Sequence, residues 1–145
     1  MTDAPVTELE TVESQSDNGK TILVIDDDES QVVALEYRLQ QQGFRVQTAY
    51  TGRQAIELAR DVEPDLILLD LRLPDIEGFD VCAELADTPN TCCIPVIILS
   101  AMERPDIVRR SRSAGCEYYV RKPYDPNVLL TLINHSLERD VELDW

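Results

Sequence analysis

Acidic residues directly follow two short apolar segments of this chain. Segment 22–25 runs into the acidic triplet 26–28, and segment 66–69 runs into Asp70. If the two segments are neighbouring strands, two or three of these carboxylates converge on one small volume. Such a cluster is costly unless a cation neutralises it, and oxygen ligands favour a hard ion such as Mg²⁺, which readily shares a phosphate oxygen. The pattern therefore predicts a metal site beside a carboxylate that could accept a phosphoryl group.

A plainer interpretation exists for each segment taken alone. The triplet 26–28 could simply cap the helix that follows it, and Asp70 could belong to a turn formed with residues 71–75. Two further residues favour the site over this alternative. Ser100 ends another apolar segment, and Lys122 is, with Lys20, one of only two lysines in the chain.

The elements that must position these residues alternate between strands and helices. Segment 66–69 is a continuous apolar run stopped by turn residues, which is typical of a strand covered on both faces of a parallel sheet. Period-two alternation after Gly43 indicates a less covered strand at a sheet edge. The expected strands are 21–25, 44–49, 66–69, 96–99 and 118–120, and the expected helices are 32–42, 52–62, 79–86, 104–114 and 126–137.

Five such β/α units in succession predict an α/β fold, a doubly wound, flavodoxin-like (βα)5 parallel sheet with strand order 2-1-3-4-5. In that order the ends of strands one and three lie side by side, which brings Asp26, Asp27 and Asp70 together with Ser100 and Lys122 on the opposite flank. Phosphoryl transfer needs alignment and charge neutralisation more than acid or base help. Asp70 could therefore accept a phosphoryl group, with Mg²⁺ and Lys122 supplying positive charge.

Composition bounds the class of protein. The chain has 145 residues, enough for one domain, and a net charge of −15, which argues against direct binding to nucleic acid or to an anionic membrane. No apolar run reaches the ~20 residues of a membrane span. The four cysteines lack metal-site spacing and are expected to be reduced thiols of a cytoplasmic protein. We divide the chain into a flexible acidic tail (1–20), a folded domain (21–138) and a short C-terminal tail (139–145).

The chain resembles the receiver domains of two-component response regulators over roughly residues 21–137. Four elements in order carry the resemblance: Ile25-Asp26-Asp27, the stretch LDLRLPDIEG that contains Asp70, Ser100-Ala101, and Lys122-Pro123. The resemblance implies that Asp70 is the phosphoacceptor and that Asp26 and Asp27 are the acidic pair for Mg²⁺, or for Mn²⁺ in its place.

The resemblance implies further roles around the acceptor. The main-chain carbonyl of Arg72 is expected to be another metal ligand, Ser100 the switch hydroxyl and Tyr119 the switch aromatic residue, although Tyr119 beside Tyr118 could be ordinary strand packing. Lys122 is expected to contact the phosphoryl group, and the peptide bond between Lys122 and Pro123 is usually cis in this family.

Beyond the resemblance, Arg72 and Glu103 should flank the mouth of the site, where we expect them to pair and slow the loss of the phosphoryl group.

The expected function is a switch and not turnover of a small substrate. A histidine kinase or a histidine phosphotransfer protein would supply the phosphoryl group, and the domain would assist only its own phosphorylation and dephosphorylation. The fourth helix has a thin apolar stripe, Ile107, Ser111 and Ala114, which indicates weak docking. A downstream protein would read the face formed by helix 4, strand 5 and helix 5.

Several alternatives stay open on the sequence alone. Arg109, Arg110, Arg112 and Arg121 could recognise an acidic partner or could be a solvated helix face. The protein could be a monomer or a phosphorylation-dependent dimer. A phosphate-independent interaction module and an aspartyl-phosphate phosphatase are the competing functions. The intact acidic pair and Lys122 argue against the first, and the absence of a DxD acceptor motif argues against the second. No further residues are expected for an output domain such as a helix-turn-helix.

Overall fold

Five parallel strands form one sheet, with helices on both faces. The computed structural model describes residues 18–101 and 104–143, with side chains described through residue 138. The strands are β1 (Thr21–Ile25), β2 (Arg45–Ala49), β3 (Leu66–Leu69), β4 (Val96–Ser100) and β5 (Tyr118–Arg121). The helices are α1 (Glu29–Gln41), α2 (Gly52–Val62), α3 (Gly78–Ala86), α4 (Ile107–Ser113) and α5 (Pro126–Leu143).

The strand order is β2-β1-β3-β4-β5, and every pairing is parallel. The predicted doubly wound fold with order 2-1-3-4-5 is therefore confirmed. β3 lies at the centre, and each of its four residues is buried. β2 lies at an edge with a partly exposed alternating pattern, as its period of two predicted.

Alternation along each strand separates two hydrophobic cores, one on each face of the sheet. Ile67 and Leu69 of β3 point into the core covered by α2, α3 and α4, whereas Leu66 and Leu68 point into the core covered by α1 and α5. The core positions of β3 are all within 1 % of complete burial. This buried centre fixes the position of Asp70, which directly follows β3.

Several helix boundaries differ from the sequence-based expectation, among them the start of α4 and the end of α5. α4 begins at Ile107 and not at Arg104, because Pro105 disfavours helical backbone at the residue before it and residues 105–106 form a turn. α5 continues to Leu143 and does not end at residue 137, while the division of the chain at residue 139 stays a prediction. The segment after Pro126 contains neither Gly nor Pro, and nothing in its local sequence stops the helix.

At the other end, residues 18–20 hydrogen-bond to the turn between α1 and β2. Asn18 donates its backbone N–H to the carbonyl of Gly43 at 2.9 Å, and Arg45 donates to the carbonyl of Lys20 at 2.9 Å. Gly43 has a φ of 94°, the left-handed conformation expected of a glycine that ends a helix. Residues 1–17 of the tail predicted for residues 1–20 lie outside the described residues. Among the residues described, no helix is both long and apolar enough to cross a bilayer.

Candidate functional site

The carboxyl ends of β1 and β3 meet at the centre of one sheet edge. Ile25 is the register partner of Leu69, and Asp70 donates its backbone N–H to the Ile25 carbonyl at 2.9 Å. The residues that follow the two strands, Asp26 and Asp70, therefore lie side by side. Both are largely buried, at 7 % and 9 % exposure.

The three acidic residues after β1 have two different structural roles. Asp28 is the N-cap of α1, where its carboxylate accepts the backbone N–H groups of Ser30 and Gln31 at 3.1 and 3.3 Å. A hydrogen bond from the Ser30 hydroxyl, together with these backbone hydrogen bonds, lowers the pKa of the Asp28 carboxyl. The capping alternative is thus correct for Asp28, while Asp26 and Asp27 take part in the acidic cluster.

Lys122 reaches this cluster from the end of β5. Its ammonium Nζ lies 2.8 Å from Asp26 Oδ2 and 3.1 Å from Asp70 Oδ2. The backbone N–H of Lys122 donates to the Ser100 carbonyl at 2.9 Å, which ties the lysine to the neighbouring strand. The peptide bond between Lys122 and Pro123 is cis, as the resemblance implied.

The electrostatics of Asp70 and Lys122 follow from burial and proximity. Burial raises the pKa of the Asp70 carboxyl, and the neighbouring Asp26 charge adds to that rise, although the Arg72 N–H and the Lys122 ammonium oppose it. Burial opposes the charge of Lys122, yet contacts with the Asp26 and Asp70 carboxylates raise its pKa above the ordinary value. The lysine is therefore held as an ammonium beside Asp70.

The donor set fits a hard divalent cation. One carboxylate oxygen from each of Asp26, Asp27 and Asp70 lies within 4.8 Å of the other two. Three carboxylates against the one ammonium of Lys122 leave an excess of two negative charges. Asp27 is exposed, so water can complete the coordination, as Mg²⁺ prefers.

The loop after β3, residues 71–77, folds back on Asp70. Arg72 donates its backbone N–H to Asp70 Oδ1 at 3.0 Å, which places the Arg72 peptide at the site. Gly78 donates to the Leu71 carbonyl at 3.0 Å, and a Cβ on Gly78 would lie 2.7 Å from Leu71 Cα. The φ of Gly78 is not positive, so the close approach of the Leu71 backbone explains why a glycine is needed at this position.

Ser100 and Tyr119 lie on the flank expected of the switch pair. Ser100 ends β4 and is completely buried. Ile98, on the same face of β4 as Ser100, is the register partner of Tyr119. Tyr119 packs on the core that contains Ile98 and Ile107 of α4, while Tyr118 faces the opposite core and hydrogen-bonds His135 Nδ1 at 2.6 Å.

α4 carries three of the four arginines noted in the sequence, and β5 ends with the fourth. Only Ile107 and Ser111 of α4 are buried, which confirms the thin apolar stripe. The Arg110 guanidinium lies 4.4 Å from the centroid of the Phe79 ring and 3.9 Å from a Glu77 carboxylate oxygen. Arg110 thus connects α4 to the start of α3.

Two residues at the site were not found from the sequence. Gln31 accepts a hydrogen bond from Lys122 Nζ through Oε1 at 2.6 Å and donates to Asp28 Oδ2 at 3.0 Å. Asp75 accepts the backbone N–H groups of Gly52 and Arg53 at the start of α2. A glutamine in the first turn of a capped helix gives no sequence signal for contact with a lysine far along the chain. The predicted partner of Arg72, Glu103, lies outside the described residues, so their pairing stays a prediction.

The chain is similar in sequence to known regulatory proteins. The chain is 39% identical over 119 residues to the transcriptional regulatory protein AfsQ1 of Streptomyces coelicolor, covering 82% of this chain and 52% of that protein. It is 34% identical to the alkaline phosphatase synthesis transcriptional regulatory protein PhoP of Bacillus subtilis, covering 83% of this chain and 50% of the relative. The chain thus spans about half the length of these curated relatives.

Solved structures share the fold over nearly their whole length. The chemotaxis response regulator CheY4 of Vibrio cholerae superimposes with a TM-score of 0.76 at 25% identity, covering 81% of this chain and 98% of that one. A putative response regulator of Chloroflexus aurantiacus gives a TM-score of 0.77 at 29% identity, covering 81% and 97%. The family profile described as the response regulator receiver domain matches residues 22–134. With Asp70, its acidic neighbours and Lys122 gathered at one sheet edge, the chain belongs to the response regulator receiver domain family.

Proposed function

We propose that the protein accepts a phosphoryl group on Asp70 from the phosphohistidine of a histidine kinase or a histidine phosphotransfer protein. The observation that carries the proposal is the position of the Asp70 carboxylate. It is buried at the sheet edge, with Lys122 Nζ 3.1 Å from Oδ2 and the oxygens of Asp26 and Asp27 within 4.8 Å. The receiver-domain family supports the same assignment.

In the proposed reaction a carboxylate oxygen of Asp70 attacks phosphorus while the phosphorus–nitrogen bond to the donor imidazole breaks. The imidazole leaves with the bonding electron pair and takes a proton from solvent. Lys122 neutralises charge on the phosphoryl oxygens, and the Arg72 N–H holds Oδ1 of the acceptor in place. Bound Mg²⁺, held by Asp26, Asp27, Asp70 and the Arg72 carbonyl, would supply the remaining charge neutralisation, and Mn²⁺ has a similar oxygen preference.

The switch would run from the acceptor to α4 and β5. A phosphoryl oxygen near the end of β4 would accept a hydrogen bond from the Ser100 hydroxyl. Movement of Ser100 toward it would alter the space near Tyr119, which packs on the same core as Ile107 of α4. Because α4 buries only two side chains, a shift there costs little. A downstream protein would bind the altered face of α4, β5 and α5, and a phosphorylation-dependent dimer could use the same face.

Intact mass spectrometry tests the acceptor. The protein is incubated with Mg²⁺ and phosphoramidate, whose phosphorus–nitrogen bond imitates that of phosphohistidine. We expect one added phosphoryl group on the unsubstituted chain and on Asp61→Asn, an exposed carboxylate of α2. We expect none on Asp70→Asn and none after prior chelation of the metal. An adduct on Asp70→Asn would refute the assignment. Failure of the unsubstituted chain to form an adduct would favour a phosphate-independent interaction module.

A further inference from the structure

Asp75 links the loop that follows the acceptor to a helix that the reaction itself does not use. We propose that Asp75 is a positioning residue for the metal, because it holds loop 71–77, and with it the Arg72 peptide, against the N-terminus of α2. The inference rests on the proposed function, in which the Arg72 carbonyl is a metal ligand. Metal affinity would then depend on a residue that lies outside the acidic cluster.

Both oxygens of the Asp75 carboxylate are engaged by α2. Oδ1 accepts the backbone N–H of Gly52 at 2.8 Å, and Oδ2 accepts that of Arg53 at 2.9 Å. The first N–H groups of a helix have no partner within the helix and carry partial positive charge. The N-cap residue Thr51 uses its hydroxyl for the next of these groups, Gln54 N–H, at 3.1 Å. Asp75 therefore completes the capping of α2 from a distant loop, and these bonds lower the pKa of its carboxyl.

The residue next to Asp75 packs on the same place. A Cβ on Gly52 would overlap the Ile76 side chain and would lie 3.1 Å from Val81 Cγ2. Only a glycine at the start of α2 lets Ile76 approach this closely. The loop thus contacts α2 through a polar pair of hydrogen bonds and an apolar contact in adjacent residues.

The other end of the loop is tied to the acceptor. Arg72 N–H donates to Asp70 Oδ1 at 3.0 Å, and Gly78 N–H donates to the Leu71 carbonyl at 3.0 Å. The Arg72 peptide therefore lies between two attachments, one to the acceptor and one, through Asp75, to α2. Release of the Asp75 attachment leaves the Arg72 carbonyl free to move away from the position that a metal requires.

Calorimetric titration with Mg²⁺ of the unphosphorylated full chain measures this dependence without phosphoryl transfer. We expect Asp75→Asn, which keeps the size of the side chain but replaces one acceptor oxygen by an amide, to weaken Mg²⁺ affinity about 10-fold. Ile76→Ala, which removes the apolar contact with Gly52, should weaken it in the same direction. Circular dichroism checks that each variant is folded.

Two control variants separate positioning from charge and from helix stability. Asp80→Asn removes the same charge from an exposed residue that lines the same surface groove as Asp27 and Arg72. Its effect should be small and should fade as salt screens it, whereas the effect of Asp75→Asn should persist. Thr51→Ala weakens the same helix terminus without touching the loop, and it should lower Tm while leaving Mg²⁺ affinity unchanged.

The inference is overturned if Asp75→Asn binds Mg²⁺ as tightly as the unsubstituted chain, or if Asp80→Asn or Thr51→Ala weakens binding equally. In those cases the unsubstituted chain would still bind Mg²⁺ and accept the phosphoryl group, so the proposed function would stand. If the unsubstituted chain neither binds Mg²⁺ nor accepts the phosphoryl group, the proposed function fails and the inference fails with it.

Discussion

Lys122 Nζ lies 3.1 Å from Asp70 Oδ2, so the carboxylate proposed as the phosphoacceptor has a cationic partner before any phosphoryl group is present. The same ammonium also contacts Asp26 at 2.8 Å. All three side chains are at most 14% exposed. The lysine therefore neutralises charge at the two buried carboxylates, in addition to its role in the proposed reaction.

Lys122→Met should destabilise the metal-free protein, because it leaves Asp26 and Asp70 buried without their cation. We expect a loss of about 2 kcal/mol in the free energy of unfolding at pH 7 in EDTA. Saturating Mg²⁺ should recover most of the loss, since the ion replaces the missing positive charge. Urea titrations with and without Mg²⁺ measure both values. A loss that is the same in the two conditions would show that Lys122 and the metal do not serve the same carboxylates.

Asp27→Asn should affect metal binding and not stability. Asp27 is the exposed member of the acidic cluster, and surface substitutions usually change stability by less than about 0.5 kcal/mol. We expect Mg²⁺ affinity to fall at least ~10-fold, since one charged ligand is lost. Asp61→Asn is the charge-matched control. Unchanged Mg²⁺ affinity in Asp27→Asn would remove this residue from the metal site.

Gly78→Ala should destabilise the protein although alanine is the better helix former. The new Cβ would lie 2.7 Å from Leu71 Cα and 2.9 Å from the Asp70 carbonyl oxygen, both backbone atoms that cannot move freely. Such overpacking costs about 1–3 kcal/mol. Gly52→Ala should cost less, because the atoms nearest its Cβ belong to the Ile76 side chain. Thermal unfolding of both variants tests the order, and an increase in Tm for Gly78→Ala would contradict it.

The metal-free protein should lose stability relative to Asp70→Asn as the pH rises. Burial raises the folded-state pKa of Asp70 above the ordinary 3.8, so between the two values the folded state binds more protons than the unfolded state. Stability therefore falls as pH rises through this window. Urea titrations of both proteins in EDTA between pH 3.5 and about 7 follow the difference, and a titration of the Asp70 carboxyl by NMR locates its midpoint. A midpoint at or below 3.8 would be inconsistent with burial as the main influence on this group.

Arg110→Ala should loosen α4. The guanidinium stacks on Phe79, a contact worth about 0.5–1 kcal/mol at an exposed site, in a helix that buries only two side chains. We expect amide hydrogen exchange in α4 to be roughly 2- to 5-fold faster. Arg109→Ala, a neighbouring exposed arginine on the same helix, is the matched control and should leave exchange unchanged. Equal exchange in both variants would show that the contact with α3 does not hold α4.

Local patterns in the sequence determined the elements and the residues at their ends. The apolar run of β3 cannot be exposed to water, and alternation of β and α units leaves few ways to cover it. Because parallel strands end at the same sheet edge, the residues that follow them must converge. Asp26, Asp27, Asp70 and Lys122 could therefore be assigned to one site from the sequence.

The tertiary structure decided which side chains support that site. Gln31 contacts Lys122, and Asp75 contacts Gly52 and Arg53, across loops whose paths no local pattern specifies. The same holds for Asp28, which caps α1 while its two acidic neighbours take part in the acidic cluster. Periodicity reports only which face of an element is covered. The hydrogen-bond partners of polar residues depend on how distant elements pack, and this information exists only in the folded chain.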